Sequence, residues 1–423
     1  MHSGARWHDA TCAAPLLSID KCSRKVQCQT CSSCLHLDKI VANHTAVSPG
    51  LSVPKDESEE MNLFWPLSVP YTRSDQATSL AGDKRNLQVG DCVRKDAPVD
   101  QVSTSPVYIH RLQPSEFRLV HLDAPLSGDT DSPVHAELKT YTHDDCPEYE
   151  TVSYTWGGQE NDSTPCKPIS IGPYWDVLLQ TKNCWDMLKL MRPSSGQRVV
   201  WVDAISINQS DQIERADQVA KMGRIYEESM RVFVFLGSDV VHPIGNASYL
   251  TRRELHHLTR ESMNSAQEGS SLPIVSNLGR LLELRYFSRI WVVQELMLSR
   301  QATIRIGSSE YLVDHQTSRN IAKKDPTRSW DSTAAPWFQH AGQRYLTAED
   351  RNSLLEMMKL TWKCHSTDPR DKVFGILGLD HWEPPIRPDY SISVKHAFIG
   401  IFAHCLINLR DTRVLSWASG IYR

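Results

Sequence analysis

Arg198 to Gly237 reads RVVWVDAISINQSDQIERADQVAKMGRIYEESMRVFVFLG, and this stretch decides the fold. It opens on Val199, Val200, Trp201 and Val202, a β-branched and aromatic run that predicts a strand. A polar break follows at Ser206 to Asp211. Ile213, Ala216, Val219, Ala220, Met222, Gly223, Tyr226 and Met230 then recur at steps of three and four, which predicts one buried helical face. Glu214, Arg215, Asp217, Lys221 and Arg224 fall mostly on the other side, with Glu214-Arg215 read as a solvated pair. Asp211 and Glu214 have the spacing of a capping box. A second apolar run, Val232 to Leu236, ends at Gly237. Strand, helix and strand in this length predict a βαβ unit with parallel, right-handedly connected strands.

Working outward, Glu116–Leu122 and Val134–Tyr141 alternate as strands do. Thr151–Tyr154 reads as a short buried strand running into Trp156-Gly157-Gly158, a turn where backbone can approach a partner closely. Ile169–Tyr174 suggests a hairpin arm, and Val177–Met191 a helix that buries Leu178, Leu179, Trp185, Leu188 and Met191. Beyond Gly237 lies a polar stretch with a helix expected near Tyr249–Glu261. Ser288 is placed to cap a helix carrying Trp291, Glu295 and Leu298. A hairpin is expected from Ala302–Ile306 and Tyr311–Val313, then helices at Asn352–Trp362, Val373–Leu379 and Ser393–Leu409. The fold class is therefore α/β: a parallel sheet flanked by helices, with a β-rich N-terminal edge and a helical C-terminal extension. Expected boundaries are 1–109, a low-complexity, Cys-containing, largely disordered region; 110–315, the α/β domain; and 316–423, the mainly helical extension. That extension stops soon after Trp417 and is expected to be either a short form or an incomplete gene model.

The chain has 423 residues, 23% of them charged, and a formal net charge of -4. That balance argues against a dominant nucleic-acid surface. No apolar run is long enough for a membrane span and no secretory leader is evident, so a cytoplasmic protein is expected. Eleven cysteines are then expected as free thiols. Cys22, Cys28, Cys31 and Cys34, with His36, offer two C-x-x-C steps of the kind that ligates zinc, but the usual second pair a dozen or more residues away is missing. The sequence therefore assigns no metal. G-x-x-x-x-G-K-[ST], G-x-S-x-G and H-E-x-x-H are all absent from the sequence, so P-loop, hydrolase-elbow and zincin chemistry have no handle.

Three blocks resemble the fungal heterokaryon-incompatibility (HET) domain: Tyr149 to Gly157 (YETVSYTWG), the central Trp201 to Gly237 stretch, and Phe287 to Leu296 (FSRIWVVQEL). The TDPRDKVFGILGL phrase from Thr367 is similar to that family's C-terminal flank. One departure is Ser206, where the family usually carries Cys, so a thiol role there is ruled out. The resemblance implies a TIR-like or flavodoxin-like sheet and a part in non-self recognition and regulated cell death. It also implies partners among other HET-domain or receptor proteins, with self-association. Ser288, Trp291 and Glu295-Leu296 resemble the helix of enzymatic TIR domains whose Glu supports cleavage of the nicotinamide–ribose bond of NAD, though the gap after the Ser is longer here. On that likeness Glu295 is the candidate catalytic carboxylate, and NAD a candidate substrate with no resident cofactor.

In an open parallel sheet, ligands bind beyond the carboxyl ends of the strands. Ser153, Tyr154, Trp156 and Gly157 follow one expected strand, and Asp203, Asn208 and Gln209 follow another. With Trp291 these make the candidate substrate-binding set. Each has a plainer alternative. Trp156 packs in a core or rim, Asp203 braces a loop, Asn208 and Gln209 form a turn, and Glu295 pairs with Arg289 or Arg285. Two functional classes stay open: an NAD-cleaving enzyme, and a non-catalytic assembly module.

Overall fold

The computed structural model describes residues 5–19, 26–36, 105–126, 131–158, 160–238, 281–306, 309–314, 330–342, 353–379 and 386–418, with a few shorter pieces. The helix expected at Tyr249–Glu261, and Cys22, lie outside the described residues. In chain order the strands are β1 Leu17–Ile19, β2 Val26–Cys28, β3 Glu116–Asp123, β4 His135–Thr142, β5 Glu150–Tyr154, β6 Pro165–Ile171, β7 Asp176–Thr181, β8 Gln197–Trp201, β9 Val232–Phe235, β10 Ala302–Ile306 and β11 Ser309–Val313. The α-helices are α1 Lys182–Met191, α2 Asp203–Ser206, α3 Gln212–Glu228, α4 Ile290–Met297, α5 Ser353–Thr361, α6 Asp371–Phe374, α7 Val394–Ile407 and α8 Arg413–Ala418.

Nine strands form one mixed sheet in the order β11-β10-β9-β5-β8-β3-β4-β6-β7. Its middle, β10-β9-β5-β8, is parallel throughout. β3 runs antiparallel to β8 and to β4, and β6–β7 is a hairpin on the far edge. The expected α/β architecture and β-rich N-terminal edge are present, but the sheet is mixed where a parallel one was expected, because the β3–β4, β3–β8, β6–β7 and β10–β11 pairs are antiparallel. β8 and β9 do share a direction across α3, but β5 is inserted between them, which the βαβ reading did not foresee.

Strand alternation sends successive side chains to opposite faces. Trp201, Val232 and Val234 face one core with Tyr226 of α3 and Ile290, Val293 and Leu296 of α4. Val152, Tyr154, Val200, Phe233 and Phe235 face the other, under Cys184, Met187, Leu188 and Met191 of α1. Trp337, Leu354, Val373, Ile376 and Ile401 from the C-terminal part complete the first core. Gly223 and Gly378 explain how closely that part approaches. A Cβ on Gly223 would stand 2.7 Å from the Gly378 carbonyl oxygen, so the two backbones touch.

Several local expectations fail. Val177–Met191 is not one helix: Asp176–Thr181 is strand β7, and Thr181 caps α1 by accepting from the Cys184 N–H at 3.2 Å. A continuous apolar run satisfies strand and helix templates alike, and pairing with β6 decides it here. The buried face of α3 is also rotated from expectation. Glu214, Gln218, Met222, Gly223, Ile225 and Tyr226 are buried, while Ile213 and Met230 are 53% and 50% exposed. Glu214 is not a solvated residue. It forms a buried ion pair with Arg118 of β3, at 2.5 Å and 3.1 Å. Gln218 donates to the Glu116 carbonyl at 2.8 Å. These polar anchors on β3 set the helix rotation. Asp211 caps α3 as expected, accepting from the Ile213 and Glu214 N–H groups, but Glu214 does not complete the reciprocal box. Ser288 does not cap α4: its hydroxyl donates to the Arg285 carbonyl instead.

Candidate functional site

β5 connects onward to the β6–β7 side of the sheet, whereas β9 leads to β10 on the opposite side. The carboxyl ends of β5 and β9, Tyr154 and Phe235, are hydrogen-bonded neighbours at that divergence. Chain connections leave a crevice at such a point. Thr155-Trp156-Gly157, Val202-Asp203 and Leu236-Gly237 emerge there from β5, β8 and β9. Glu295 reaches the same place from below, on α4.

Ser153 is the link between these levels. It alternates to the α4 face of β5, and its hydroxyl donates to Glu295 Oε2. The Tyr286 hydroxyl lies 2.5 Å from the same Ser153 oxygen. Glu295 is only 4% exposed. Burial pushes its carboxyl up to about 7, against the opposing pull of the Arg289 charge and the Ser153 hydroxyl. Arg289 stands at the start of α4 and donates to the Tyr154 carbonyl. It also acts on Asp203, whose carboxyl burial raises while Arg289 and the Trp156 Nε1–H hold it down in part. Trp156 Nε1 donates to Asp203 Oδ2 at 2.9 Å, and both residues are half-buried. Both carboxyl groups are thus harder to ionise than usual, and the Arg289 charge acts on each.

The structure joins Ser153 to Glu295, Trp156 to Asp203 and Arg289 to the Tyr154 carbonyl. Tyr154 contributes its carbonyl to Arg289, while its buried ring faces the α1 core. Gly157 starts a tight turn: its carbonyl accepts from the Asp162 N–H at 3.0 Å, and a Cβ there would stand 2.6 Å from Asn161 backbone. Gln209 supports Asp203 by donating to its carbonyl at 2.9 Å. Asn208 turns elsewhere, its N–H donating to Glu214 Oε1 at 2.7 Å. Trp291 joins the C-terminal part, its Nε1 donating to Asp371 Oδ2 at 3.2 Å. Burial raises the Asp371 carboxyl to about 6, and the Tyr390 hydroxyl donates to it at 2.7 Å. Ser206 is a brace, its hydroxyl accepting from the Val202 N–H at 3.2 Å.

Tyr286 was missed in the sequence because it precedes the FSRIWVVQEL block, and nothing local marks its hydroxyl as a partner of Ser153. The Arg118–Glu214 pair was missed because its members stand far apart in the chain. Only Arg118, set between the apolar Phe117 and Leu119, signals a buried counter-charge.

The model of the family described as heterokaryon incompatibility protein (HET) matches residues 149–295. Residues 149–295 form a HET domain. The match spans the site, from the residue before β5 to Glu295 itself. Heterokaryon incompatibility protein 6, OR allele, of Neurospora crassa is 26% identical over 318 residues, covering 59% of this chain. The chain spans about half the length of that relative, 46% of it. No solved structure matches. Among the described residues of the HET-domain chain, no helix is long and apolar enough to cross a membrane.

Proposed function

We propose that the HET domain executes a non-self recognition response, and that its rim cleaves the nicotinamide–ribose bond of NAD in a TIR-like site. In that step the C1′–N1 bond breaks and its electron pair leaves with nicotinamide. Water adds to C1′, giving ADP-ribose and a proton. Positive charge grows on the ribose as the bond stretches, and carboxylates nearby stabilise it. Glu295 and Asp203 are the groups for that work, with Glu295 catalytic. Trp156 offers a ring face beside Asp203. Ser153, Tyr154 and Gly157 shape the floor and turn, Asn208 and Gln209 hold the Asp203 loop, and Trp291 ties α4 to the C-terminal part. Self-association, or docking on another HET or receptor protein in the cytoplasm, completes the site and leads to regulated cell death.

The observation that carries this reading is that Glu295, held on Ser153, and Asp203, held on Trp156, both stand within electrostatic reach of Arg289, which bonds the carboxyl end of β5. A second reading, a non-catalytic assembly module, draws on the deep burial of Glu295 and its existing bond to Ser153. Expression in a fungal host distinguishes them. Cleavage requires that the wild-type chain deplete NAD and arrest growth, and that folded Glu295→Gln do neither. Toxicity that survives in folded Glu295→Gln sinks the cleavage reading and leaves the assembly module.

A further inference from the structure

The segment before the main domain builds a small lobe from β1, β2 and the residues around them. Among its described residues only His8, Cys12, Val26 and Cys28 are buried. An antiparallel pair of three-residue strands cannot build a core of apolar side chains, and a lobe this small ordinarily needs a staple. Apart from Val26, the interior here consists of side chains that ligate metals.

His8, Cys12, Cys28 and Cys31 bring one imidazole nitrogen and three sulfurs within 4.8 Å of one another. Cys12 Sγ and Cys28 Sγ are 3.9 Å apart, too far for a disulfide. Cys31 Sγ lies 3.6 Å from His8 Nδ1. Zinc bonds of about 2.3 Å to sulfur and about 2.0 Å to nitrogen give tetrahedral edges of about 3.8 Å between sulfurs and about 3.5 Å from sulfur to nitrogen. The two measured edges fall close to those lengths.

The surroundings match as well. His8 Nε2 lies 2.8 Å from the Tyr174 carbonyl oxygen, which only accepts, so Nε2 carries the proton. In the neutral ring this leaves the Nδ1 lone pair aimed at the sulfurs, the arrangement in which a second partner orients a metal-binding histidine.

We propose that His8, Cys12, Cys28 and Cys31 form a structural zinc site that clips the N-terminal segment onto the edge of the main sheet. The ligand pattern is His8-x-x-x-Cys12 followed by Cys28-x-x-Cys31. The missing second pair of the sequence therefore lies upstream, and one of its members is a histidine. Three thiols release their protons as they bind the cation. The clip acts on β7, the outermost strand. Ala5 bridges Val177 through two hydrogen bonds of 2.7 and 2.8 Å. Arg6 forms a bidentate pair with Asp176 at 2.9 and 2.8 Å. Trp7 Nε1 donates to the Trp175 carbonyl at 2.9 Å, and the Tyr174 hydroxyl donates to the Ala13 carbonyl at 2.8 Å. Holding this strap in place covers an edge that would otherwise be open to pairing.

The test is the metal content of the full-length chain, expressed with added zinc and purified under reducing conditions without chelator. One zinc per chain is expected in the wild type and in Cys34→Ser. A fall of at least tenfold is expected in Cys12→Ser and in Cys28→Ser/Cys31→Ser. Cobalt in place of zinc should give tetrahedral d–d bands and a thiolate charge-transfer band, both lost in the same variants. A wild-type chain without metal, or carrying an oxidised Cys12–Cys28 pair instead, overturns the proposal. So does zinc that persists in the ligand variants, or that Cys34→Ser removes. Because the wild type and Cys34→Ser decide on their own, misfolding of a ligand variant does not protect the idea.

Discussion

Replacing Glu295 by Gln should make the protein more stable at alkaline pH. The carboxyl is pushed from 4.5 to about 7 by burial, so the folded state holds a proton that the unfolded chain releases. Stability therefore falls as pH rises from the unfolded value through the folded one, and the full cost remains above it. Each tenfold change in proton affinity is worth about 1.4 kcal/mol, so a rise of this size costs about 3 kcal/mol. Gln keeps the shape, can still bond the Ser153 hydroxyl, and carries no charge at any pH. Urea unfolding of both proteins reads the difference directly. Near pH 5 the two should agree within about 1 kcal/mol, and near pH 8 the variant should be more stable by about 3 kcal/mol. A difference that does not change with pH, or a variant weaker near pH 8, refutes the reasoning. It would mean that Arg289 and Ser153 fully compensate an ionised Glu295. The expected result is a carboxyl kept at a cost to stability, as functional groups often are.

Further outcomes follow from the elements around the site. Glu214→Ala leaves Arg118 buried without its counter-charge and should cost about 3–5 kcal/mol in urea unfolding, whereas Arg118→Met/Glu214→Leu should recover most of the loss. Gly223→Ala forces a methyl against the Gly378 backbone and should cost about 1–3 kcal/mol, seen as a lowered Tm. Cleavage that needs ionised Glu295 should rise as pH increases through about 7, and that limb should be absent in Glu295→Gln.

Much of this was legible from residue order. The Val199–Val202 and Val232–Leu236 runs mark β8 and β9 because strands buried on both faces need apolar residues at every position. Ser153, Trp156, Asp203 and Glu295 could be grouped because strand ends and a flanking helix converge whatever the details of the sheet. The illegible parts all depend on distant partners. Val177–Leu179 became strand through pairing with β6, not through its own pattern. The rotation of α3 follows from Arg118 and Glu116, remote in sequence, and turns Ile213 outward. Trp291 sits one helical turn from Glu295, yet Asp371 claims its indole. His8 and Cys12 escape a search for repeated C-x-x-C steps, because only folding brings them to Cys28 and Cys31.

The most direct measurement is NAD turnover by the purified full-length chain, clustered through a fused oligomerising tag, near pH 8. The account expects nicotinamide and ADP-ribose to appear in equal amounts with the wild type, and turnover to fall at least about a hundredfold in a folded, equally clustered Glu295→Gln protein. Equal turnover by the two proteins, or intact NAD in both, would contradict it.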